Sequence, residues 1–309
     1  MSQNTFKKYG IIILLVFFVV PLGAAGDEIQ LVPSQESQKG AIKVGLRFTG
    51  GGFLLMRSDF IEHIQGMYDI YEAAPYVHSL ESEGFGSTNL GLNFAGELFV
   101  DFTENIGIGI GSGYITHNEE RSLVRDIGCG TFYTHNYNPK FSAVPLTVSL
   151  YLGLPVSQRI KIVFNTGVGY YLGKADWVYE EYSNGGVRSE IDWSASSNAL
   201  GLHGGLDFEF LLTSRFAFVV GARGRYAKIK SLTGDYNHET HHPVYGHSKG
   251  TLNDLTLWYG IWEDLSTGED YPKVVFAPSE PYGTVWSDVR EGEINLSGLV
   301  FQAGLKVTF

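Results

Sequence analysis

Cysteine is nearly absent from this chain: Cys129 is the one thiol in 309 residues. A disulfide framework and a multi-cysteine zinc site are thereby excluded. Basic residues are scarce too, with 22 Lys+Arg against 33 Asp+Glu and a formal net charge of −11. A nucleic-acid binder would need a basic stripe to neutralise phosphates. Charged residues of either sign make up only 18% of the chain, too few for a disordered acidic tail. Beyond the first residues, no apolar run approaches the roughly 18 residues of a membrane-spanning helix. What is abundant is glycine (39 residues) and aromatic side chains (14%), a composition suited to strands joined by tight turns.

Residues 1–26 read as a cleaved signal peptide. Lys7 and Lys8 form a basic start, residues 11–20 (IIILLVFFVV) an apolar core, and Pro21 a helix breaker. Ala24, Ala25 and Gly26 supply the small residues that a signal peptidase needs. The apolar core is short of the roughly 20 residues that span a bilayer.

The remainder alternates with period two, the signature of strands. Across residues 90–102, Leu90, Leu92, Phe94, Leu98, Val100 and Phe102 share one face, while Asn93, Ala95, Glu97, Phe99 and Asp101 share the other. Seven further segments behave alike, around residues 42–48, 106–114, 144–152, 160–170, 200–210, 216–226 and 299–309. The apolar faces hold no charged residue. The opposite faces are rich in Gly, Ser, Asn and Ala, and hold Lys43, Arg47, Glu97, Asp101, Lys161, Asp207, Glu209, Arg223, Arg225 and Lys306. In a soluble sandwich the polar face is solvated and bulky. Small residues mixed with charges of both signs fit the crowded inside of a narrow barrel, leaving the apolar face outward against lipid.

The joins agree. Those at 103–105, 154–158 and 213–214 are short, and those at about 57–87, 118–138, 181–192 and 232–293 are long. Strict alternation of short turns and long outer loops predicts an all-β fold: an eight-stranded antiparallel transmembrane β-barrel, an up-and-down meander with long extracellular loops. Phe102, Phe210, Phe216 and Phe309 lie at the short-turn end, and Tyr114, Tyr170 and Tyr226 eight to ten residues along their strands. That spacing matches two aromatic girdles about 25 Å apart. Pro145 lies inside a strand with neighbours on both sides, so a bulge is expected there. On this reading, residues 27–40 form a short periplasmic segment and residues 41–309 the barrel. The 232–293 loop is long enough for an extra-membrane hairpin.

The chain stops at Phe309, with Phe301, Leu305 and Val307 on the same face. This resembles the terminal signal by which outer-membrane proteins are recognised for insertion. From 41 to 309 the chain is similar to the small outer-membrane barrels of the OmpA/OmpW type. The resemblance implies residence in the cell outer membrane, contact with its lipid, engagement of the barrel-insertion machinery, and a monomer. It implies no cofactor. It rests on strand pattern, loop alternation and the terminal Phe, with no catalytic motif.

The ten inward charges are expected to pair between neighbouring strands. Glu97 and Asp101 would meet Lys43 and Arg47, and Asp207 and Glu209 would meet Arg223 and Arg225, closing the lumen. Bulky Phe99, Tyr151 and Tyr171, or water, would fill the space beside the glycines of the 106–114 strand. His238, His241, His242 and His247 cluster in the last loop, but their spacing matches no established metal site. His117 with Glu119 and Glu120, and Asp235 with His238, lie near strand ends without a compact nucleophile–base motif. No enzyme activity is expected. The outer loops are acidic: residues 233–293 carry eleven Asp/Glu against Lys249, Lys273 and Arg290. The expected function is that of a surface structural or adhesin-like protein acting through these loops on an extracellular ligand the sequence does not name. A narrow OmpW-like channel for small ions or apolar solutes is the alternative, and a lipid- or peptide-modifying enzyme comes after it.

Overall fold

The computed structural model describes residues 42–55, 59–84, 90–265 and 267–309. The expected signal peptide and the whole 27–40 segment lie outside these residues. The fold is all-β with one helix. Eight strands close a ring: β1 (Lys43–Leu55), β3 (Leu90–Asp101), β4 (Ile106–Asn118), β6 (Phe132–Pro155), β7 (Ile160–Ser183), β8 (Arg188–Leu211), β9 (Phe216–Ile229) and β15 (Gly298–Thr308). Each pairs antiparallel with the next, and β15 returns to β1. Closure leaves the ring no free edge.

Three tight turns lie at one end and share a local design. Thr103, Ser157 and Thr213 each accept, through the side-chain oxygen, hydrogen bonds from the backbone N–H two and three residues ahead, at 3.0–3.3 Å. A hydroxyl that bonds its own following backbone stabilises a turn without a glycine. These are the three short joins of the sequence.

The predicted apolar faces point outward. Ile110, Val148, Val168 and Leu202, cross-strand neighbours in register, form one exposed row around part of the ring. Leu98, the register partner of Ile110, extends this row, and rows above and below continue it with Phe48, Phe208, Phe301 and Leu305. The aromatic residues expected at the two rims, Phe102, Phe210, Phe216 and Phe309 at one and Tyr114, Tyr170 and Tyr226 at the other, are all exposed.

The long joins are not loops. β6, β7 and β8 each run 24 residues, well past the apolar belt. Their outer halves keep the alternation but reverse its polarity. On β6, outward residues change from Val144 and Leu146 to Ser142, Lys140 and Asn138, while Phe141 and Tyr137 turn inward and are buried. On β7 the change falls between Leu172 and Lys174, and on β8 between Leu200 and Asn198. Val144 pairs with Leu172 and Ser142 with Lys174, so the boundary is level on β6 and β7; on β8, where Leu172 pairs with Asn198, it falls one outward position nearer the turn end.

At the same level β8 changes partner. Residues 201–211 pair with β9, and residues 188–196 with β10 (Thr233–His242). β11 (Gly246–Asp264), β12 (Glu269–Ala277) and β13 (Trp286–Glu291) extend this outer sheet, and β14 (Ile294–Asn295) leads back beside β9. The 232–293 segment is thus a folded sheet larger than the expected hairpin. The 118–138 join holds β5 (Arg121–Asp126), which pairs with β6 and with β2 (Ser79–Glu83).

The 57–87 join holds helix α1 (Asp59–Ala73). Phe60, Ile64, Ile70 and Tyr71 recur at helical spacing and are buried. The Phe60 ring, fully buried, lies 4.8 Å from Trp177, 5.1 Å from Phe141 and 5.7 Å from Trp193. Gly66 sits where a Cβ would come within 2.6 Å of the Pro272 carbonyl, so the helix lies directly against β12. Pro145 produces no bulge. Its ladder to β4 lapses at this point, but the register on either side is unchanged.

Candidate functional site in the ring interior

The interior is built in levels, counted here from the turn end. Small inward residues make the first two possible. A Cβ at Gly107 would meet the Asp101 carboxylate, one at Gly109 that of Glu97, and one at Gly221 that of Asp207, all at 2.0–2.3 Å. The space beside the β4 glycines is therefore taken by carboxylates rather than by the expected aromatic rings.

At the turn end, Lys306 Nζ lies 3.3 Å from Asp101 Oδ2 and 3.4 Å from Glu209 Oε1, above the Phe99 ring at 4.1 Å. Lys161 Nζ donates to the Glu104 carbonyl at 2.8 Å. Lys43 is exposed at the rim. Tyr151 donates its hydroxyl to Glu97.

The next level centres on Asp207, which is fully buried. Its carboxylate accepts from Arg47 Nη2 at 2.6 Å, Asn165 Nδ2 at 2.8 Å and Gln302 Nε2 at 3.0 Å, with Arg223 Nη2 at 3.9 Å. The donors come from β1, β7 and β15 and the more distant guanidinium from β9, so one carboxylate ties together strands from across the ring. A buried carboxylate with charge-assisted donors in this number is satisfied, and it fixes the relative placement of its partners.

The expected pairing is corrected here. Arg47 does not meet Glu97 or Asp101 on the adjacent strand, but crosses the lumen to Asp207. Lys306 takes Asp101 and Glu209. Arg225 has no carboxylate partner among the described residues. Its Nε donates to the Leu296 carbonyl at 2.7 Å, its Nη1 to Asn93 Oδ1 at 3.4 Å, and its guanidinium lies 4.8 Å from the centre of the Phe53 ring. Nearby, His203 Nε2 and Ser149 Oγ are 3.0 Å apart.

Above this level the interior becomes apolar. Phe53, Ile115, Phe141, Tyr171, Trp177, Trp193, Ile229 and Val300 pack with Phe60 and Ile64 of α1. The helix is held by ionic contacts at its first residue. Arg290 donates to Asp59 from Nη1 at 2.8 Å and Nη2 at 2.6 Å, and the Glu293 N–H donates to the same carboxylate at 2.7 Å. Tyr259 donates to Glu62 at 2.8 Å. Burial and the Lys273 ammonium push the His63 imidazole down to about 3. Burial and Arg125 do the same to His135, also to about 3.

The other sequence candidates separate. His117 is buried, stacked flat on Phe141, with Nδ1 3.1 Å from the Leu90 carbonyl and Nε2 3.5 Å from Glu119. Glu119 in turn accepts twice from Arg121. No hydroxyl or thiol is hydrogen-bonded to His117 among the described residues. Glu120 is exposed. His242 Nδ1 accepts two backbone N–H bonds in the β10–β11 turn, and His247 meets Glu239 at 3.1 Å. No group of three His, Cys, Asp or Glu residues among the described residues is arranged to hold a metal ion. Phe301, Leu305 and Phe309 of the expected insertion signal are exposed on the outer face, with Val307 half-buried beside them.

No family model matches this chain, and no curated protein does. Among solved structures, it is similar to a major outer membrane protein from Thermus thermophilus. That likeness has 14% identity and a TM-score of 0.39, over 87% of this chain and 100% of the other.

Proposed function

We propose that this chain is an outer-membrane β-barrel protein with a sealed lumen, acting as a surface structural or adhesin-like binding protein through its outer sheet. The observation that carries the reading is the level belt of exposed apolar side chains around a closed ring of strands. From Val144 to Leu154 of β6, ten residue steps of about 3.3 Å at a tilt of about 40° give a belt of roughly 25 Å, the height of a barrel's lipid-facing band. A large apolar side chain gains about 1.5–3 kcal/mol on leaving water, so such a belt calls for an apolar solvent.

The lumen is closed twice over, by the Asp207 level and by the apolar core around α1. Function then falls to the part beyond the belt, where Glu180, Glu190, Asp192, Asp235 and Glu239 lie on extended strands. An acidic surface of this kind attracts basic partners and loses that attraction with salt. Outer-membrane lipid is the ring's solvent, the insertion machinery its partner during biogenesis, and a monomer its form. The test is conductance of the refolded chain in a planar bilayer. Silence supports a sealed lumen. Steady single-channel steps would overturn it and put a narrow channel in its place.

A further inference from the structure

Between the Asp207 level and the apolar core lies a cavity of about 50 Å³, lined by Asn93, Tyr171, His203, Arg223, Arg225 and Gln302 among others. One probe sphere of about 10–15 Å³ suffices for a water, so this space admits a small ion with its contacts. Its polar lining is unbalanced. Arg225 is 8% exposed, and its Nη2 is buried with no hydrogen-bond partner. Arg223 Nε and His203 Nδ1 are buried and unpartnered as well. Three residues on two adjacent strands that line this one small cavity therefore each hold a buried nitrogen without a hydrogen-bond partner.

The charge balance points the same way. Every inward carboxylate lies at the Asp207 level or nearer the turn end, and each already has a partner: Asp207 holds Arg47, Asp101 and Glu209 share Lys306, and Glu97 accepts from Tyr151. Asp207 reaches Arg223 only at 3.9 Å. Arg225 faces a carbonyl, an amide and an aromatic ring, none of which carries a formal negative charge. A buried guanidinium without a counter-charge is costly, and an anion beside it would offset that cost.

We propose that this cavity is a binding site for a small monovalent inorganic anion, held by Arg225 Nη2 and Arg223 Nε, with His203 as a third contact. A halide matches the size and the donor chemistry. A carboxylate on a longer carbon chain does not fit the volume. The anion would supply the counter-charge that Arg225 lacks and join the charged level to the apolar core above.

The test uses the full refolded chain in detergent. Crystals grown in bromide are examined for anomalous density, and melting is followed in potassium chloride and in potassium gluconate at equal ionic strength. The proposal expects bromide in the cavity and a melting temperature that rises with the logarithm of chloride above saturation but not with gluconate. Arg225→Gln should abolish the chloride dependence. No bromide in the cavity, or bromide there with no chloride dependence of melting, overturns the proposal. So does a folded Arg225→Gln chain that keeps the full chloride response. If that variant does not fold, the two wild-type measurements decide alone.

Discussion

Val148 lies near the middle of the apolar belt, two outward positions from Val144 at one boundary and three from Leu154 at the turn end. Its side chain is exposed beside Ile110 and Val168. In a bilayer, Val148→Arg places a cation at the midplane, at a cost of about 2–4 kcal/mol. Leu154→Arg, at the rim, should cost about 0–1 kcal/mol because the side chain reaches the headgroups. Ser142→Arg, outside the belt on the same strand and face, should stay within about 0.5 kcal/mol. The assay is urea unfolding from lipid vesicles followed by tryptophan fluorescence. A gradient of cost with depth is expected. A cost at Val148 no larger than at Ser142 would refute the placement of the belt in lipid, since a ring standing in water gains solubility from the same substitution.

Asp207→Asn leaves Arg47 buried without its counter-charge, and should destabilise the ring by about 3–5 kcal/mol in the same assay. Adding Arg47→Met to that variant should recover a good part, because the uncompensated charge is gone; a purely additive double variant would contradict the cross-lumen pair. Phe60→Ala empties the centre of the aromatic cluster around α1, and a loss of about 3–5 kcal/mol is expected, read as early exposure of Trp177 and Trp193 to an aqueous quencher. The outer part should weaken in acid. His63 is held neutral by burial and by Lys273, offset only in part by the Pro272 carbonyl, and its Nδ1 accepts from the Val274 N–H at 3.3 Å. The unfolded chain takes up a proton below about 6.5 and the folded chain only near 3. Stability is therefore full above pH 6.5 and falls by up to about 1.4 kcal/mol per pH unit as pH drops toward 3. Melting from about pH 7 to about pH 4.5 checks this, and His63→Leu should flatten the slope by that amount.

The ring and its faces were legible in the sequence for a physical reason. An apolar outer face and a crowded polar interior put opposite chemistry onto successive residues, and Leu90, Leu92 and Phe94 against Asn93 and Glu97 carry that contrast without reference to any other strand. The outer extensions were hidden by the same rule. Beyond Val144, Leu172 and Leu200 the alternation continues with its sign reversed: Ser142, Lys174 and Asn198 take the outer face while Phe141, Trp177 and Trp193 turn inward. A reading that follows outward apolar residues stops at the boundary. The helix had its own signal in Phe60, Ile64, Ile70 and Tyr71, at helical spacing inside a segment assigned to a loop. Strand alternation assigns ten charges to the inner face, but it does not give their partners. Strand adjacency pairs Arg47 with Glu97, whereas the choice of Asp207 depends on the closure and stagger of the whole ring, a property that strand order does not contain.

The central claim is that lipid surrounds the ring and ends at the level where β6, β7 and β8 reverse polarity. It is tested most directly by spin labels placed singly at the outward positions of β6, from Asn136 to Leu154, in a chain with Cys129→Ser. Collision with oxygen marks lipid and collision with a water-soluble nickel complex marks solvent. The account predicts water at 136, 138, 140 and 142, lipid from 144 to 152, and a deepest point near 148. Nickel access at 146, 148 and 150 equal to that at 138 would contradict it.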